Sequence, residues 1–163
     1  MNRRDLLRIG GTLAALPAAA VPQTARPAIP FAPTFFNPHQ FHTINEFSDL
    51  IIPSTDTPGA KEAHVARYLD KLLAASDHPF QNEFARDLDI LDRFARQTSR
   101  ADFVSLSPDQ QKSVVDQMSV SDQRPSFDRL KAWTARIYYA TKPGFDELNK
   151  GGRVPASLAC DAG

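Results

Sequence analysis

With 163 residues, 42% of them hydrophobic, the chain is long enough for one domain with a real core. Its 19 basic residues balance 19 acidic ones, so no net field draws it to nucleic acid or to an anionic membrane surface. Cys160 is the single cysteine, which excludes an internal disulfide and any Fe–S or cysteine–zinc centre built from this chain alone.

The chain opens with paired cations, Arg3 and Arg4, followed by Leu6, Leu7 and Arg8. A weakly apolar run from Ile9 to Ala20 follows, ending in Ala18-Ala19-Ala20. A charged region, a short apolar region and small residues for a peptidase make an export signal over residues 1–20. The adjacent arginines make it look like a twin-arginine (Tat) signal, which implies passage of an already folded protein through the Tat translocase to the periplasm. The run is broken by Pro17 and stops short of the about 20 apolar residues a membrane span needs. Cleavage after Ala20 is therefore expected, with an uncleaved anchor as the alternative. Removing Arg3, Arg4, Arg8 and Asp5 leaves the remainder slightly acidic.

Residues 21–38 read as an extended arm. Pro22, Pro27, Pro30, Pro33 and Pro38 each lack an N–H and fix φ, which excludes helix and central strand. Phe31, Phe35 and Phe36 are the apolar exceptions, and they should dock, either on this chain's own core or on a partner.

From Ala60 to Lys142 there is no glycine, and apolar residues recur at spacings of three and four. The fold class is all-α: a single compact bundle of about five helices, over residues 39–155, with an irregular tail at 156–163. The first helix spans Gln40 to Ile52 and is stopped by Pro53. A turn-rich connection, Ser54 to Gly59, leads to a second helix from Ala60 to Ala75. The third starts at an Asp77 cap with Pro79 in its first turn and carries a stripe of Phe80, Phe84, Leu88, Leu91 and Phe94. Ser107-Pro108-Asp109-Gln110 is a capping-box start for the fourth. The last begins near Pro125, with Phe127, Leu130, Trp133, Ile137 and Tyr138 inward. Lys142-Pro143-Gly144 is expected to end it, leaving an irregular tail from Phe145.

No nucleophile elbow, phosphate-binding loop or dinucleotide glycine pattern is present, so no cofactor site is expected in this chain. His39, His42 and Glu46 are spaced to share a helix face. A carboxylate–histidine metal site there is one reading; solvated or capping side chains are the other. Asp49, Asp56, Glu62 and Asp70 flank the turn after the first helix and read as capping and surface charge rather than acid–base groups. Cys160 is either a free terminal thiol or one half of an intersubunit disulfide.

Two stretches carry a family resemblance. Ile51-Ile-Pro-Ser-Thr-Asp-Thr-Pro-Gly-Ala60, followed by Val65-Ala-Arg-Tyr-Leu-Asp70, resembles the opening of the gluconate 2-dehydrogenase subunit 3 family. Ile137-Tyr-Tyr-Ala-Thr-Lys-Pro-Gly144, with Glu147 and Gly152 beyond, resembles its ending. The resemblance implies a non-catalytic small subunit. Its implied partners are a large FAD-binding subunit of the glucose–methanol–choline type, which holds the cofactor, and often a membrane-anchored multihaem cytochrome c. It further implies that the small subunit carries the large one through export, so the complex would sit at the periplasmic membrane surface. No catalytic residue is carried over. Phe31, Phe35, Phe36, Pro58, Gly59, Tyr138 and Tyr139 stand as candidate partner contacts, the last four with fold maintenance as the alternative role. The alternative to the whole reading is a stand-alone exported helical binding or metal-binding protein.

Overall fold

The computed structural model describes residues 31–150. The arginine pair Arg3-Arg4, most of the proline-rich arm and Cys160 lie outside the described residues. Contacts divide the chain after Phe31, and the helical body begins at Ala32.

The body is helical, with no strand among the described residues. In chain order it contains α1 (Pro38–Ile51), α2 (Val65–Ala74), α3 (His78–Ser99), a 3-10 turn (Phe103–Ser105), α4 (Pro108–Ser119), α5 (Arg124–Ala140) and α6 (Lys142–Leu148). No described helix is long and apolar enough to cross a membrane.

Local chemistry sets most of these boundaries. Asn37 and Gln40 form a reciprocal capping box at the start of α1. Pro38, expected at the end of the arm, instead opens the helix. A missing N–H loses nothing at the first helical position. The Asp77 side chain accepts from the Phe80 amide at the head of α3, and Ser107 and Gln110 cap each other at the head of α4. The second helix starts later than expected. His64 adopts a left-handed φ of 58°, so residues 60–64 form a separate turn and α2 begins at Val65.

The chain's end differs more. Lys142-Pro143-Gly144 interrupts the helical region without closing it. Thr141 has extended backbone, its side chain accepts from the Gly144 amide, and Pro143 sits in the first turn of α6. A short sixth helix therefore occupies part of the expected irregular tail.

The core gathers Ile44 and Phe47 of α1, Leu69 and Leu73 of α2, and Phe84, Leu88 and Leu91 of α3. Val114 and Met118 of α4, Leu130 and Tyr138 of α5, and Phe103 of the 3-10 turn complete it. Helix α5 is the hub, packing against each of the other five helices. The end of the arm also belongs to this core. Phe36 is buried with its ring 5.9 Å from that of Phe84, and Phe35 meets Phe36 edge-on at 5.1 Å.

Candidate functional site

The two stretches that carry the family resemblance, far apart in sequence, meet in space at Tyr138. The connection after α1 folds into a tight loop. The Ala60 amide donates to the Ile52 carbonyl at 2.8 Å, and the Gly59 amide donates to Ser54 Oγ at 3.0 Å. Gly59 is buried against this loop's own backbone, and a Cβ there would lie 2.5 Å from the Ser54 nitrogen. Only glycine permits the closure. The carbonyl of Pro58 then points at the Tyr138 hydroxyl, 2.9 Å away.

Tyr138 is fully buried near the end of α5. Its phenol faces a second acceptor, Glu147 Oε2 of α6, at 2.8 Å. Its backbone carbonyl accepts from the Thr141 amide at 2.9 Å and from the Thr141 hydroxyl at 2.6 Å. Gly144 crosses directly over that carbonyl, so closely that a Cβ would overlap it. One tyrosine thus fastens the α1–α2 loop, the end of α5 and the start of α6. An outer ion pair, Lys150 to Asp56 at 2.9 Å, joins the α1–α2 loop to the residues just after α6 at the surface. The hydrogen bond to Lys150 holds the Asp56 carboxyl below its usual value.

Burial, and then the neighbouring Glu147 carboxylate, push the Tyr138 phenol up to about 12. At neutral pH it is therefore a hydrogen-bond donor and no base. The arrangement positions segments of chain.

Three buried aspartates do comparable work elsewhere. Asp70 of α2 accepts from three successive backbone amides of the arm. Thr34 reaches Oδ2 at 2.8 Å, while Phe35 and Phe36 reach Oδ1 at 3.0 and 2.9 Å. The expectation that Asp70 is capping or surface charge is thus corrected: it is fully buried, and three oriented N–H groups replace its water. Asp87 of α3 is gripped by Arg129 of α5 through two bonds of 2.8 and 2.6 Å. That contact raises the Arg129 pKa further. Asp92 of α3 takes His39 Nε2 at 2.6 Å on one oxygen and the Phe103 amide at 3.1 Å on the other.

The histidine–carboxylate group predicted as a metal alternative does not assemble. His39 is engaged by Asp92, and Glu46 is held by Lys61 at 2.9 Å through both oxygens. His39, His42 and Glu46 do border one depression of about 320 Å3, together with Leu106 and Gln111. Among the described residues, however, no group of three or more His, Cys, Asp or Glu side chains is placed to hold a metal ion. Asp49 lies 4.0 Å from Lys61, and Glu62 is exposed.

The candidate partner contacts separate by burial. Phe36, Gly59 and Tyr138 are inside, and Phe35 is half-buried. Pro58 and Tyr139 are exposed, and Phe31 falls in the preceding unit of the chain. Sequence reasoning missed Asp87 and Asp92. Both lie at three- and four-residue spacings from the Phe84–Leu88–Leu91 stripe, so their place on the core face was available as a signal.

Comparison with known proteins gives one family. The model for gluconate 2-dehydrogenase subunit 3 matches residues 38–152, a range that contains α1 through α6 and both stretches joined at Tyr138. No curated protein and no solved structure matches the chain significantly. A match over most of the chain's length decides the family: this chain belongs to the gluconate 2-dehydrogenase subunit 3 family, one subunit of a dehydrogenase complex.

Proposed function

We propose that this chain is the non-catalytic small subunit of a periplasmic FAD-dependent dehydrogenase acting on a sugar, sugar acid or polyol. It stabilises the large FAD-binding subunit and supplies the Tat signal, through Arg3 and Arg4, for export of the folded pair. The family match over residues 38–152 carries this reading. The geometry supports it: the buried polar groups described above are engaged in holding segments of chain together. Catalysis and flavin belong to the partner, and a multihaem cytochrome c provides the membrane attachment and the route to quinone. Cys160 is available for a disulfide to the large subunit.

Export is the decisive test. Expressed alone, the chain should bind no flavin and show no dehydrogenase activity. Expressed together, the large subunit should reach the periplasm, and Arg3→Lys with Arg4→Lys should strand both chains in the cytoplasm. Normal export of the large subunit beside that double variant would sink the carrier role. A non-reducing gel of the complex tests Cys160, where an unchanged pattern on reduction removes the disulfide.

A further inference from the structure

Of the three buried carboxylates, one is compensated unlike the others. Asp87 has the Arg129 guanidinium, and Asp92 has the His39 ring. Asp70 is fully buried and enters no ion pair among the described residues. Its partners are the amides of Thr34, Phe35 and Phe36. A buried carboxylate with neither donors nor water is heavily penalised. Asp70 therefore has two favourable states. In one the three amides close over it; in the other the segment has lifted and water takes their place.

The segment that closes is separable from the helices. Thr34, Phe35 and Phe36 form a bend and make no backbone–backbone hydrogen bond with the described residues. Helix α1 is capped by its own Asn37 and Gln40, so the segment can lift without unwinding it. What holds it down comes from three helices. The Asn37 cap fixes its exit into α1, Asp70 of α2 takes its amides, and Phe84 of α3 receives the Phe36 ring. Asp70 lies 34 to 36 residues further along the chain than the amides it binds, and Phe84 lies further still. The segment can close only once α1, α2 and α3 have packed, so its closed state reports that the body is folded.

Its place in the chain gives that report a use. The helical body begins at Ala32, and in sequence residues 21–33 lie between the proposed export signal and Thr34. Once the segment lifts, the buried Phe36 and half-buried Phe35 lose their cover. Two apolar side chains then meet water just after the signal, which is the mark of an incompletely folded chain.

We infer that Thr34–Phe36 is a strap that closes on Asp70 only when α1, α2 and α3 are packed, and that the closed strap is the condition for export of this chain and its cargo. The inference rests on the export reading above and adds the device by which the signal is coupled to the folding of the domain behind it.

The test uses the full chain co-expressed with the large subunit, with chymotrypsin, which cuts after aromatic residues, as the probe of the strap. The unmodified chain should resist cleavage after Phe35 and Phe36. In Asp70→Ala that cleavage should rise about a hundredfold, the shift expected on losing hydrogen bonds to a charged group, while helical content is kept. With the strap open in most molecules, the periplasmic fraction of both chains should fall about fivefold. Arg129→Ala loses comparable overall stability and keeps every partner of the strap. It should show neither the selective cleavage nor the export loss. If Asp70→Ala does not fold, Thr34→Pro decides, because it deletes one of the three donors and alters no helix residue; cleavage should then rise about tenfold. Ready cleavage of the unmodified chain, an uncut strap in the deciding variant, or normal export of a variant whose strap is cut overturns the inference. So does an equal export loss in Arg129→Ala, which would tie export to overall stability. Each of these leaves the small-subunit reading standing. Normal export of the Arg3→Lys/Arg4→Lys chain overturns both.

Discussion

Asp70 shows how much one side chain can hold. Its carboxylate takes the place of water for three successive amides, and those amides belong to a segment with no regular secondary structure to supply other partners. Asp70→Ala should lower stability by about 3 kcal/mol, since hydrogen bonds to a charged group are each worth about 1.5–3 and the freed amides partly recover water. Urea unfolding measures the loss. Hydrogen exchange localises it: the amides of Thr34, Phe35 and Phe36 should exchange faster, while those in the middle of α3 keep their protection. Unchanged exchange at the three amides would refute the clamp. Arg129→Ala makes the complementary case, because it leaves Asp87, 1% exposed, without its cation. Breaking such a pair from one side should cost about 3 kcal/mol, again by urea unfolding. A cost under about 1 kcal/mol would mean that the pair behaves as a surface ion pair.

At the scale of elements, the caps and the glycines make different demands. Ser107→Ala removes one half of a capping box on an exposed helix start and should cost about 1 kcal/mol. Gly144→Ala should cost more, about 2 kcal/mol, because the new Cβ would overlap the Tyr138 backbone, which cannot move without unseating α5. Thermal unfolding of the two variants side by side checks the order. Helix starts of the first kind were legible in the sequence, because a cap and its partner lie three residues apart. Asp77 and Ser107 are found where residue type and spacing place them. The reason for Gly144 was not legible. Lys-Pro-Gly reads as a stop, and only the folded chain shows Thr141 restarting the helix and Tyr138 lying beneath it. Asp70 was misread for a similar reason. Apolar periodicity identifies what is buried, but a buried carboxylate is defined by donors that fold in from elsewhere, here from residues 34–36. The meeting of Pro58 with Tyr138 lies beyond any local rule, although both residues stood in stretches singled out by their resemblance to the family.

For the whole molecule, Tyr138 predicts an alkaline limit. Its phenol titrates at about 12 in the folded chain and at about 10 when unfolded. Between those values the folded state holds a proton that the unfolded state has lost, so stability must fall as pH rises. Its contribution is complete below about pH 10 and is lost through pH 12. Chemical unfolding measured across pH 9–12 should show this slope, and Tyr138→Phe should flatten it while lowering stability at neutral pH by about 1 kcal/mol. An equal slope in the phenylalanine variant would assign the alkaline limit to other groups. The hub position of α5 has a further consequence, for the order of assembly. Helices α1 to α4 are all synthesised before the element they close on. Until α5 follows, the buried faces of α1 and α2 lack their lid, and the loop at Pro58 lacks the hydroxyl that secures it. Such contacts between distant parts of the chain form late, and the open intermediate exposes apolar seams. A chain halted before Arg124 should be sticky and protease-sensitive, with four helices, three of them capped by a side chain, that have nothing to close around.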